Sequence, residues 1–345
     1  MIPPEPALRL DVDAAALTHN WIKLDTLSGR ARAGAAVKAD AYGLGVATVV
    51  PALWQAGCRD FFVAHWSEAT AVAELVPAGA VSVLHGPLTG ADAAFARALG
   101  VKPVINSLAQ AQRWIAAGGG ACDLMVDTGI NRLGLPMVDL SDPLIKQLSI
   151  DLLLSHLASA DDESPLNGIQ LGRWNEARGL IAHRKASLAN SAGIALGPDY
   201  HGDVTRPGIA LYGGVPCAAL AGELRQVARP HAALIQVRDL QAGDSVGYNA
   251  TFTAPVTMRV GVISLGYADG YLRAWSGGGT MVHQGRTLPV LGRVSMDMTV
   301  IDLSAAPDLG EGDWIEVAYD LPHSAALTGL SQYELLTGLG RRFAR

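Results

Sequence analysis

The stretch AGAAVKADAYGLG, residues 33–45, decides how the rest of the chain is read. Its opening run, 33–37, is short and apolar, suited to a buried strand, and Gly43 and Gly45 then open a turn. A helical pattern follows over 46–55. Lys38 therefore falls where a parallel strand ends and its loop begins, the common address of catalytic groups in α/β proteins. A lysine stem walled by apolar residues loses hydration, which lowers its pKa and makes the amine a nucleophile. On the strand alone, a lysine that merely snorkels at a strand end is the better reading.

Outward from this stretch the same rhythm repeats. Apolar strand candidates lie at 33–37, 60–64, 80–84, 101–105, 121–126, 150–155 and 186–189. Helical stretches at 67–75, 91–99, 108–117 and 168–183 fall between them, and a strand at 8–12 and a helix at 14–27 precede them. With an eighth strand near 203–206, the pattern predicts an α/β fold with an N-terminal (β/α)8 TIM-like barrel. An open doubly wound sheet stays an alternative, because periodicity does not show closure. After Pro216 the rhythm breaks into β-rich runs at 225–240, 256–264 and 286–303, separated by glycine turns. Without regular helices there, a C-terminal mainly-β domain is expected. The boundary is placed near Gly222, giving a barrel domain at 1–222 and a β-domain at 223–345. The first strand is available to pair with the second domain.

Length and composition agree with this. The chain has 345 residues, half of them hydrophobic and only 17% charged, which argues for a large core and against disorder. A net charge of −6 gives no reason to expect nucleic acid or an anionic membrane as partner. Three scattered cysteines without CxxC spacing argue against a disulfide framework, and no metal site is expected. The opening MIPPEPALRLDVD has no basic segment before an apolar run, and no apolar stretch approaches a membrane span. A cytoplasmic address is expected.

If the barrel reading holds, polar residues just after strands face one site at its C-terminal end. Arg132 follows the fifth strand in DTGINRLG, His156 ends the sixth in LLLSHLASAD, Ser191 ends the seventh in NSAG, and Arg206 ends the eighth in TRPGIALYG. Each has a plain alternative: a surface arginine, a satisfied core histidine, a helix N-cap, a salt-bridged arginine. Four at equivalent positions outweigh those alternatives. The loops after strands seven and eight are the recurrent phosphate site of such barrels. There Ser191, Gly193, Gly208 and Ile209 offer a hydroxyl and converging backbone N–H groups. Two ordinary glycine turns are the alternative.

AVKADAYGLG resembles the pyridoxal-phosphate attachment signature of the alanine racemases, a family with a β/α barrel followed by a β-domain. DTGINRLG, SHLASAD, NSAG, RPGIALYG, VGYNATFTA and GRVSMDMTVID, in that order, are similar to the family's successive motifs. The resemblance implies pyridoxal 5'-phosphate held by Lys38 as a Schiff base, with Tyr42 near its phosphate. It implies that Ser191, Gly208 and Ile209 bind phosphate, that Arg206 meets the pyridine nitrogen, and that Arg132 orients the substrate carboxylate. It further implies that His156 supports a second catalytic residue, Tyr248, which arrives from the other subunit of a homodimer with Met296 and Asp297. The implied activity is a two-base isomerase interconverting L- and D-alanine for cell-wall peptidoglycan. A racemase of another small amino acid such as serine would share every motif. A non-catalytic pyridoxal-phosphate carrier or regulatory barrel is the reading from another class, and such barrel-only proteins need neither a second domain nor Tyr248.

Three departures from the family pattern are visible, one of them Ser295, which stands where a cysteine is common. Many members carry a carbamylated lysine seven residues before the arginine matched by Arg132, where this chain has Met125; Asn131 is one candidate to hold Arg132 instead, and a bound anion is another. Near the C-terminus, where some members place a phosphate-touching tyrosine, LGRRFAR offers Arg341.

Overall fold

The computed structural model describes residues 5–344. The first four residues of the N-terminal stretch read for a leader, and the final Arg345, lie outside them. By internal contacts the chain divides into two compact units. One is Ala14–Arg225; the other joins the N-terminal residues up to Asp13 to those from Gln226 onward.

In the first unit, eight parallel strands follow one another. The first is broken at Gly34 into Arg32–Ala33 and Ala35–Ala36, followed by Phe61–Val63, Val81–Val83 and Lys102–Ile105. Ala121–Asp127, Ser149–Leu154, Lys185–Ser187 and Val204–Thr205 complete the set. They are short and buried on both faces, which is why they read as continuous apolar runs rather than alternating ones. Registers such as Ala35↔Phe61, Val104↔Asp123 and Leu154↔Ser187 link neighbours in order. The ring closes because the eighth strand pairs with the first, Val204↔Arg32, and Ala36 N donates to Pro207 O at 2.9 Å. On its other side Arg206 N donates to Ala189 O at 2.8 Å. That closure removes the open-sheet alternative.

Helices Val46–Ala56, Trp66–Ala73, Gly90–Leu99, Leu108–Ala116 and Pro165–Leu180 return the chain after strands one, two, three, four and six. After strands five, seven and eight the described residues cross back in 3-10 turns, where Pro143, Gly197, Pro198 and Gly213 interrupt any longer helix. Phe62, Val104, Met125, Leu152, Leu154 and Val204 fill the barrel interior.

Toward the N-terminal ends of the strands the filling becomes charged. Fully buried Asp123 accepts from Ser82 Oγ at 2.5 Å and Leu152 N at 3.1 Å, with Lys102 Nζ 3.9 Å away. Lys102 also reaches Asp151 at 2.8 Å. Burial pushes the Asp123 carboxyl up to about 6, with Lys102 and the Ser82 bond opposing. A raised native pKa means a stability contribution that is full below the ordinary 3.8 and lost as pH rises through about 6. The stability of wild type minus that of Asp123→Asn is therefore expected to fall by about 2 kcal/mol between pH 4 and pH 6.5. Urea unfolding across that range checks it, and a flat difference would contradict the assignment.

The second unit is a closed antiparallel ring. The long strand Ala228–Leu240 pairs with Met258–Ile263, then come Thr299–Asp302, Arg286–Leu291, Thr280–His283 and Trp314–Val317, which returns to pair with Ala228–Leu240. Leu8–Val12 adds to the long strand, with Leu8↔Ala232 and Val12↔Ala228. The other end of the chain meets the same strand: Leu10 N donates to Ala344 O at 2.8 Å and Ala344 N to Leu8 O at 2.9 Å. Helices Leu321–Thr328 and Gln332–Thr337 depart from the helix-free expectation. Their start signals stand in the sequence, an Asp320 cap before Pro322 and a Ser331–Glu334 capping box.

Candidate active site

Lys38 leaves the first barrel strand beside the bond from Val37 N to Phe62 O, 2.9 Å. The next four residues, Ala39, Asp40, Ala41 and Tyr42, all have positive φ, between 53° and 57°. This is a left-handed turn made without glycine, at a cost of about 1–2 kcal/mol per residue. Glycine enters only at Gly43, so the turn starts earlier than the composition suggests. It is held from within by Ala41 N to Val37 O and Gly43 N to Ala39 O, at 2.9 and 2.8 Å. Asp40 Oδ1 accepts from Val46 N at 2.8 Å, and Glu68 Oε1 accepts from Ala39 N at 2.6 Å. Tyr42 packs on Tyr212, ring centroids 4.7 Å apart, and Tyr212 Oη donates to Ala36 O at 2.8 Å. The half-buried Lys38 amine is lowered from its ordinary pKa chiefly by lost hydration, then by Arg132, with Glu68 opposing. Its neutral, nucleophilic fraction is thereby enlarged.

Across the barrel mouth, Ser191 Oγ accepts from Gly208 N at 2.9 Å and from Ala210 N at 3.3 Å. Gly193 N donates to Asn190 Oδ1 at 2.8 Å. A Cβ on Gly208 would lie 2.2 Å from Tyr42 Oη, so only glycine lets these loops close up. The result is a set of main-chain donors gathered around one hydroxyl, with a phenol beside them.

Arg206 is buried, donating through Nη1 to Ser187 Oγ and through Nη2 to Ser155 O. Among the described residues it forms no ion pair. Burial lowers its pKa to about 10, with distant Asp123 opposing, so it stays charged at neutral pH. His156 is pressed to about 3, first by burial and then by Arg206, Arg132 and Lys38, and is therefore neutral at any working pH. Three cationic side chains thus act on one neutral imidazole, an environment that favours anions such as carboxylate and phosphate.

Arg132 is exposed on the loop after the fifth strand. Asp127 Oδ1 holds that loop by accepting from Gly129 N and Asn131 N at 2.9 and 3.1 Å, and Arg173 Nη1 grips Thr128 O at 3.0 Å. Asn131, expected to hold Arg132, turns its amide to Gly129 O at 3.5 Å instead. Met125 is buried in the barrel interior. Asp127 is not among the site residues read from the sequence, although an Asp two residues before a glycine is an ordinary Asx-turn signal.

In the second unit, Tyr248 stands at the tip of the hairpin Ser245–Val246 and Phe252–Thr253, and is 63% exposed. Met296 is 53% exposed. Asp297 accepts from Arg342 Nη1 at 2.7 Å, and the same guanidinium holds buried Asp269 through Nε and Nη2 at 2.6 and 2.9 Å. Arg342 thus ties Asp297 to Asp269.

The sequence profile described as "Alanine racemase, N-terminal domain" matches residues 12–216, and "Alanine racemase, C-terminal domain" matches 227–345. The chain belongs to the alanine racemase family. It is 41% identical to the biosynthetic alanine racemase of Agrobacterium fabrum, over 98% of this chain and 93% of that one. The catabolic alanine racemase of the same organism is 40% identical, over 97% and 91%. Among solved structures, alanine racemase from Bartonella henselae with covalently bound pyridoxal phosphate superposes with a TM-score of 0.89 at 33% identity, covering 99% of both chains. The biosynthetic alanine racemase of Pseudomonas aeruginosa gives 0.86 at 34%, again covering 99% of both. Family membership thus spans both units. Among the described residues, no helix is long and apolar enough to cross a membrane.

Proposed function

We propose that this protein is an alanine racemase, interconverting L- and D-alanine with pyridoxal phosphate carried on Lys38. The observation that carries the reading is a partly dehydrated lysine amine at the end of the first barrel strand, on the same barrel mouth as the Ser191–Gly208–Tyr42 cradle and the buried Arg206. These residues fit the group. Main-chain N–H donors and the Ser191 hydroxyl suit a phosphate dianion, and Gly208 alone permits the approach of Tyr42. Bound there, pyridoxal phosphate supplies an electron sink that acidifies the Cα–H of an amino acid.

The rest falls to the chain. Lys38 Nζ takes or returns the Cα proton on one face. Tyr248 Oη does so on the other. Arg132 pairs with the substrate carboxylate through two parallel N–H bonds. Neutral His156 supports Tyr248, and Met296 borders a pocket for small side chains. Arg206 would face the ring nitrogen of the bound group as a pure donor, a side chain that cannot accept a proton from it. Tyr248, exposed on its hairpin tip, is supplied to the site by a second copy of the chain in a two-fold homodimer. D-alanine supply to peptidoglycan is the proposed use.

Incubation of the pyridoxal-phosphate-loaded protein with L-alanine in D2O tests the whole reading. Racemisation with deuterium at Cα is the expected outcome; cofactor binding without α-hydrogen exchange of any amino acid would indicate a carrier instead. Arg206→Glu places a carboxylate where a guanidinium stood. Racemisation is expected to slow by on the order of a hundredfold while the share of transamination rises. An unchanged ratio of the two reactions would remove Arg206 from the ring nitrogen.

A further inference from the structure

We infer that Glu68 is a positioning residue for Lys38, acting through the main chain of the left-handed turn; the inference rests on the functional reading above. Glu68 lies in the first turn of helix Trp66–Ala73, where a carboxylate ordinarily reaches back to its own N-cap. One oxygen does this, accepting from Ala64 N at 2.7 Å and His65 N at 3.1 Å, at the end of the second barrel strand. The other leaves the helix altogether and takes Ala39 N at 2.6 Å, the amide that follows Lys38.

A helix start of either hand leaves its first N–H groups without internal partners. Here the turn's first internal bond belongs to Ala41 N, so the Ala39 amide depends on an acceptor from outside. That acceptor is the outer of the two oxygens, and through it one carboxylate ties the end of strand one to the end of strand two. The turn it secures is made of four residues that would each prefer the right-handed region. Releasing the Ala39 amide frees the turn to relax, and relaxation swings the Cα–Cβ bond of Lys38 away from its place at the barrel mouth. The same carboxylate is the negative charge facing the Lys38 amine, opposite Arg132, and it also faces His85, whose ring lies 4.2 Å from that of His65. A helix cap alone requires neither the bond to Ala39 nor that charge.

The test uses the full-length protein with Glu68→Gln and Glu68→Ala. Gln keeps the size of the side chain and one acceptor oxygen, so it guards against loss of the fold. Three quantities are read: hydrogen exchange at Ala39 without substrate, the visible absorbance of the Lys38-bound cofactor against pH, and kcat and KM for L-alanine. Exchange at Ala39 is expected to rise in the order wild type, Gln, Ala. The kcat is expected to fall about tenfold for Gln and about a hundredfold for Ala, with little change in KM. The absorbance transition is expected to move to lower pH in both variants, because a negative charge beside the amine is gone. Faster exchange with unchanged absorbance and kcat would reduce Glu68 to a helix cap and overturn the inference, as would no change in any of the three. If wild-type protein fails to take pyridoxal phosphate on Lys38 while exchange at Ala39 still depends on Glu68, the functional reading falls and the positioning of this backbone stands.

Discussion

Lys38→Ala is expected to lower racemisation by about 10⁴-fold or more, because it removes both the cofactor's attachment and one of the two bases. The chain has five lysines, and ion pairing separates this one from three of the others. Lys23 pairs with Glu223 at 2.5 Å, Lys102 with Asp151 at 2.8 Å and Lys185 with Asp60 at 3.4 Å. An ion-paired ammonium is a poor nucleophile, and the pKa of Lys102 is indeed raised by its carboxylates, while that of Lys38 is lowered. Borohydride reduction of the loaded protein followed by peptide mapping should place the pyridoxyl group on Lys38. A label on Lys23, Lys102, Lys146 or Lys185 would refute the assignment.

The second large effect is a recovery. Lys38→Ala and Tyr248→Phe proteins, each nearly inactive alone, are expected to regain activity when mixed under conditions that exchange subunits. If each site takes Lys38 from one copy and Tyr248 from the other, a mixed dimer holds one site with both lesions and one with none. Random mixing makes about half the dimers mixed, so roughly a quarter of all sites are intact. Activity should climb toward that fraction of wild type. Verified exchange that restores nothing, with both variants folded, would end the shared-site proposal.

Much of the architecture is legible in the residues because buried parallel strands announce themselves as unbroken apolar runs. Residues 60–64 and 101–105 contain Phe61–Val63 and Lys102–Ile105, and residues 8–12 match Leu8–Val12 throughout. Closure is less legible, since it depends on Pro207 and Ala189 offering carbonyls to strands remote in sequence. In the candidate site, the positions of Lys38, Ser191, Arg206 and Gly208 are legible because their motifs sit at strand ends. The left-handed turn is not, because Ala39, Asp40 and Ala41 have no intrinsic taste for positive φ. Bonds from other elements hold them there. Glu68 escaped for a related reason: at the third position of a helix, a glutamate reads as an ordinary cap, and nothing local shows where its second oxygen goes. The two C-terminal helices are a different case. Their capping residues are plain in the sequence, but they sit within a β-rich pattern that masks two short helices.

Pairing of Leu8–Val12 and Ala344 in one sheet has a bearing on how the protein is made. The barrel is, in effect, inserted between the first strand and the remainder of the antiparallel unit. On the ribosome the barrel residues emerge complete while the antiparallel unit still lacks most of its strands. Its opening strand, synthesised first, must wait through the whole of barrel assembly for Ala228–Leu240. Its bonds to Ala344 form only once that residue has left the exit tunnel. Newly made chains should therefore pass through a state with a formed barrel and an unfinished second unit, carrying Lys38 before they carry a settled Tyr248.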